Sequence, residues 1–146
     1  HIKKLLIPLC TLVTPNIPEA EALTGYSILN KEDMIEAAKK ILNMGSKNVL
    51  LKGGHLKSKM ICDILATKKG IKVFSKRKIK TKNTHGTGCT LSSALATCLS
   101  QKKNIVKSCK ISLRYVDKAI ASAPGYGKGF GPLNHLVSFN LRNINV

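Results

Sequence analysis

Acidic residues are scarce in this sequence of 146 residues: seven Asp and Glu stand against 25 Lys and Arg, a formal net charge of +18. Aromatic residues make up 4% of the chain. They do not interleave with the basic ones, so the stacking platform of a single-stranded nucleic-acid binder is missing. Arginine occurs only at Arg77, Arg114 and Arg142, and the remaining positive charge is lysine spread along the whole length. Lysine, isoleucine and asparagine are abundant together, which fits a coding sequence drifting toward A and T better than a dedicated polyanion surface. No C-x-x-C pair is present. Five cysteines, at Cys10, Cys62, Cys89, Cys98 and Cys109, make neither a disulfide framework nor a zinc site, and point to a reducing, cytoplasmic setting. No apolar run approaches the roughly 20 residues of a membrane helix. The apolar stretch over residues 2–13 is broken by Pro8 and lacks a small-residue cleavage site, against a signal peptide.

What is there is a chain with 43% hydrophobic residues and a mean hydropathy of −0.01, enough for one domain with a core. A β-branched run predicts a strand over residues 11–14, stopped by Pro15. Asn16 opens a short helix through Leu23, ended by Thr24-Gly25. Asn30 caps a longer helix in which Met34, Ile35, Ala38, Ile41 and Leu42 share a face, with Gly45 as terminator. Residues 48–52 read as a short buried strand running into Gly53-Gly54, and residues 61–67 and 71–79 as an antiparallel edge hairpin turning at Lys69-Gly70. A polar loop over residues 81–90 enters an alanine-rich helix from about Cys89 to Leu99. Asn104 caps a last helix whose inward stripe is Ile105, Cys109, Ser112, Val116, Ile120 and Ala123. A glycine-rich loop over residues 125–131 follows, and the tail from Val137 reads as loosely ordered. Alternating strands and helices predict α/β layering.

Chemistry concentrates in three places. In Thr84-His85-Gly86-Thr87-Gly88-Cys89-Thr90, glycines on both sides of Thr87 allow a tight turn immediately ahead of an apolar helix. Converging N–H groups and the helix dipole there suit a developing phosphoryl charge. Cys89 lies in the first turn, where a helix N-terminus favours the thiolate; the alternative is a glycine loop with a structural cysteine. Asn16 with Glu19 three residues on is a capping box, and equally a place for a carboxylate to hold a metal-bound water. Lys52, leaving an apolar strand ahead of Gly53-Gly54-His55, stands where α/β proteins bind ligands, or simply reaches solvent. The spacing is not that of a Walker loop. His55 and His85 are candidate ligands without a second His, Cys or carboxylate at metal-ligand spacing, and no dinucleotide fingerprint or Ser-His-Asp arrangement is present.

The three motifs T-P-N-x-P-E, V-L-L-K-G-G-H and T-H-G-T-G-C-T-L-S-S-A stand in one order. Together they resemble the ribokinase superfamily, and within it the hydroxymethylpyrimidine/phosphomethylpyrimidine kinases of thiamine biosynthesis. The resemblance covers residues 5–136. It implies a ribokinase-like three-layer α/β/α sandwich, with residues 1–146 as the C-terminal, nucleotide-binding part of a single kinase domain. It implies ATP-dependent phosphorylation of hydroxymethylpyrimidine and then of its monophosphate. By the same resemblance Cys89 is the catalytic base and Gly86, Thr87 and Gly88 form the anion hole. Lys52 contacts ATP phosphate, Asn16 and Glu19 organise Mg²⁺ and phosphate, and Thr84, with residues 81–84 and Gly131-Pro132, walls the nucleotide pocket. A homodimer is the implied assembly.

The half of such kinases that supplies most pyrimidine contacts is not in this sequence, so weak or no turnover is expected of the chain alone. No fused thiamine-phosphate synthase domain is expected to follow. A pyridoxal kinase of the same cysteine-bearing branch is the alternative enzyme. From other classes, the rivals are a basic nucleic-acid-binding module and a noncatalytic fragment.

Overall fold

The computed structural model describes residues 1–54 and 59–137. His55 and residues 138–146 of the tail lie outside the described residues. The chain divides into two compact units, His1–Lys78 and Ile79–Val146.

In the first unit a π-helical segment, Ile2–Leu6, and a 3₁₀ turn, Ile7–Leu9, lead into an extended stretch. The strand expected over residues 11–14 is reduced to an isolated parallel bridge, Val13 with Val49, and a second such bridge, Asn16 with Lys52, follows at the start of the next helix. The stretch still adds to the sheet: Val13 N–H donates to the Asn48 carbonyl at 3.1 Å, and Leu50 N–H to the Val13 carbonyl at 2.8 Å. Thr11 sits in a bend and Pro15 has no N–H to give, so a continuous ladder cannot form. Helix α1 (Ile17–Thr24) and helix α2 (Lys31–Asn43) follow, each opened by a complete capping box, from Asn16 with Glu19 and from Asn30 with Asp33. Such caps stabilise a helix by about 1 kcal/mol each. Gly25 ends α1 in the left-handed region at φ 80°.

Strand β1 (Asn48–Leu51) pairs antiparallel with β2 (Met60–Thr67), which pairs antiparallel with β3 (Gly70–Arg77) at the edge. The hairpin is as expected, although β3 ends at Arg77 rather than at residue 79. Met34, Ala37, Ala38 and Ile41 of α2 are fully buried together with Val49, Leu51, Ile64 and Ala66 of the sheet, and this is the core of the unit. The period of 3.6 on α2 meets alternation on β1 and β2, which is why these residues find one another.

The second unit is a helix pair, α3 (Thr87–Ser100) and α4 (Ile105–Ala121). Helix α3 buries Leu91, Leu95 and Cys98 at helical spacing. Helix α4 is capped by Asn104, whose side chain accepts from Lys107 N–H at 2.8 Å. Its buried face is wider than the expected stripe: Ser108, Ile111, Leu113 and Ala119 join Cys109, Ser112 and Val116, while Ile105 and Ile120 are half-buried and Ala123 lies past the helix. Helix α3 covers a broad face of α4, wider than a single helical stripe. Ser112 Oγ reaches Cys98 Sγ at 3.9 Å across the pair. Among the described residues, no helix is long and apolar enough to cross a membrane.

Candidate functional site

In the first unit, residues from two of the three motifs come together where a parallel pair ends. Lys52 N–H donates to the Pro15 carbonyl at 2.8 Å, one residue ahead of Asn16, which bridges Lys52. Asn16 Oδ1 accepts Glu19 N–H at 2.8 Å, and Glu19 Oε2 accepts Asn16 N–H at 2.7 Å. One carboxylate oxygen of Glu19 is therefore engaged in the cap, and the residue is exposed. The two sequence readings of this pair are compatible, because the cap fixes the carboxylate at the helix start while leaving it open to solvent. Among the described residues no cluster of three or more His, Cys, Asp or Glu side chains is arranged to hold a metal.

In the second unit, α3 begins at Thr87, two residues ahead of the expected start at Cys89. The cause is Gly86, which takes the left-handed conformation at φ 83° and turns the chain directly into the helix. Thr84 braces the turn, its carbonyl accepting the Thr87 hydroxyl at 2.7 Å and the Thr87 N–H at 3.3 Å. Gly88 and Cys89 occupy the second and third helical positions, where N–H groups have no intrahelical acceptor. Cys89 is exposed in that turn. The glycine-rich loop returns to the same place: His85 N–H donates to the Gly131 carbonyl at 3.2 Å, and His85 bridges Pro132. Gly131 is buried, and a Cβ there would overlap the Asn83 side chain.

His135, which meets Thr90 in this region, and Tyr115, which meets His135, were missed by the sequence reading. Thr90 Oγ1 lies 2.9 Å from His135 Nε2, and the His135 carbonyl accepts the Tyr115 hydroxyl at 2.9 Å. With Cys89, Ser93 and Thr97, these three residues line an open cavity of about 630 Å³. No local signal joins Thr90 to a histidine 45 positions away. Asp63 was missed as well, although an acidic residue inside an apolar strand was a visible sign. It is 4% exposed and accepts Gly53 N–H at 2.9 Å.

Residues 1–134 match the family described as phosphomethylpyrimidine kinase. The chain belongs to that family. The thiamine biosynthesis bifunctional protein ThiED of Geobacter sulfurreducens is 47% identical over 137 residues, covering 94% of this chain and 28% of that protein. The hydroxymethylpyrimidine/phosphomethylpyrimidine kinase of Bacillus subtilis is 37% identical over 146 residues, covering 99% of this chain and 54% of that one. Among solved structures, the pyridoxal kinase of Staphylococcus aureus in complex with AMP-PCP and pyridoxal aligns with a TM-score of 0.88 and 29% identity, over 92% of this chain and 51% of that chain. This phosphomethylpyrimidine kinase family chain thus spans about half the length, or less, of the relatives it matches. The fold is the ribokinase-like α/β class expected from the motifs.

Proposed function

We propose that this chain is the C-terminal, nucleotide-binding part of an ATP-dependent kinase that phosphorylates hydroxymethylpyrimidine and then its monophosphate in thiamine diphosphate synthesis. The observation that carries the reading is the start of α3, where a left-handed Gly86 delivers first-turn N–H groups and the exposed Cys89 to one place. Family membership supports the same activity, as do the names of the relatives.

In this reading the N–H groups of the Gly86–Cys89 turn hold the phosphoryl oxygens as charge develops on them. Cys89 Sγ takes the proton of the substrate's hydroxymethyl group. The freed oxygen attacks the γ-phosphorus, the bond to the β,γ-bridging oxygen breaks, and ADP leaves. Lys52 offers a point charge to the ATP phosphates, while Thr84 and Gly131-Pro132 support the nucleotide pocket. Glu19 fits Mg²⁺ as a single anchored carboxylate, since that cation keeps several waters and takes one or two carboxylates plus phosphate oxygens. When bound, Mg²⁺ neutralises phosphate charge. The proposed setting is the cytoplasm, and the proposed assembly a homodimer.

A second reading, pyridoxal kinase, is favoured by the similarity to the pyridoxal complex of the Staphylococcus aureus enzyme. Steady-state assays of the protein carrying this chain, with hydroxymethylpyrimidine and pyridoxal as competing acceptors, separate the two. Pyrimidine phosphorylation with the higher kcat/KM supports the first reading, and preference for pyridoxal replaces it with the second. Transfer to neither would reject both.

A further inference from the structure

We propose that the buried carboxylate of Asp63 is a positioning residue for the nucleotide site, holding Lys52 in place through the backbone of Gly53. The proposal rests on the reading of Lys52 as a phosphate contact.

Asp63 lies in β2 directly before Ile64, Leu65 and Ala66, all fully buried, and is itself 4% exposed. Burying a carboxylate is costly unless it is hydrogen-bonded, so a structure that keeps one there requires its donors. One donor is Gly53 N–H, at 2.9 Å. The β1–β2 ladder runs from Asn48 opposite Thr67 to Leu51 opposite Ile64. Extended by one step, that register sets Lys52 opposite Asp63. At this point the chain leaves the ladder, and the next amide is captured by a side chain instead of a carbonyl.

Two further constraints converge on the same peptide. Gly53 packs so tightly on β2 that a Cβ would overlap the Cys62 carbonyl oxygen. On the opposite side, Lys52 N–H is held by the Pro15 carbonyl at 2.8 Å. Lys52 is thus fixed between the start of α1 and Asp63. A flexible lysine stem can use a fixed origin: its ammonium then searches a smaller volume, and less entropy is lost when it meets a phosphate.

The test is ATP binding by calorimetry to the full chain and to its Asp63→Asn, Asp63→Ala, Lys52→Ala and Asp63→Ala/Lys52→Ala variants, with folding followed by circular dichroism. Asp63→Asn keeps an acceptor oxygen for Gly53 and is expected to stay within about threefold of the parent in Kd, against a loss on the order of tenfold for Asp63→Ala. The double variant is expected to bind no more weakly than the weaker single one, because both remove the same contact. Should Asp63→Ala not fold, Asp63→Val takes its place, since a β-branched side chain suits a buried strand. Unchanged affinity in Asp63→Ala or Asp63→Val, or additive losses in the double variant, would overturn the proposal. A purely structural role would lower the melting temperature and leave Kd unmoved. Unchanged affinity in Lys52→Ala instead removes the phosphate contact itself, and the positioning role with it.

Discussion

Asn16 and Lys52, 36 positions apart in sequence, bridge each other at the end of a parallel pair, with Lys52 N–H held by the carbonyl of Pro15. The pairing places the capping box of α1 beside the lysine that leaves β1. In the proposed reading, the carboxylate that would hold Mg²⁺ and the cation that would meet phosphate share one backbone scaffold. Asn16→Ala removes the side-chain acceptor for Glu19 N–H and is expected to destabilise the chain by about 1 kcal/mol. It also releases Glu19, so Mg²⁺-dependent ATP affinity is expected to fall. Urea unfolding and nucleotide titrations with and without Mg²⁺ check the two effects; intact Mg²⁺ dependence would assign the pair to capping alone.

Cys89→Ser keeps a small side chain in the first turn of α3 and changes little about the N–H groups around it. If the protein carrying this chain has the proposed activity, its kcat is expected to fall by about 10²–10⁴-fold, with ATP affinity nearly unchanged. Steady-state kinetics together with equilibrium nucleotide binding measure both. A variant with normal kcat would exclude Cys89 as the base.

Gly86→Ala tests the turn without a packing complication. A Cβ at Gly86 meets nothing within 4 Å, so the cost is the left-handed backbone alone. That cost is roughly 1–2 kcal/mol. The variant is expected to melt lower and to bind ATP more weakly, because relief of the strain re-aims the N–H groups of Thr87, Gly88 and Cys89. Thermal denaturation and ATP titration provide the readouts, and a loss of stability with unchanged affinity would detach this turn from phosphate binding.

Tyr26 gives a pH-dependent prediction. Its pKa is raised above the ordinary 10.0, first by burial and then by the negative charges of Glu36 and Asp33. The folded chain therefore favours the neutral phenol, whose hydroxyl donates to the Asp33 carbonyl at 3.1 Å. The Lys40 ammonium lies 4.2 Å from the ring centroid. Stability from this group is complete below about pH 10 and is lost as pH rises through the raised pKa. Tyr26→Phe is expected to flatten the alkaline limb of a melting-temperature profile without altering its acid limb. A parent and variant with parallel alkaline limbs would contradict this origin.

Much of the fold was legible because local signals agreed with tertiary need. Asn16, Asn30 and Asn104 each cap the helix predicted for them, and the hairpin of β2 and β3 follows its turn residues. Helix α3 starts two residues ahead of the expected Cys89, because Gly86 itself makes the left-handed turn, which only the backbone reveals. Residues 11–14 have strand composition, yet the proline and the bend leave them with a single isolated bridge at Val13.

By itself the sequence determined the three motifs, their order and the helix-opening residues, since caps, glycine turns and apolar periods act within a few residues. Tertiary structure decided which distant groups became neighbours: Lys52 beside Asn16, Gly53 on the buried Asp63, and Thr90 on His135. These contacts span 10 to 45 positions. They depend on strand register, buried polar satisfaction and helix packing, none of which a local pattern encodes.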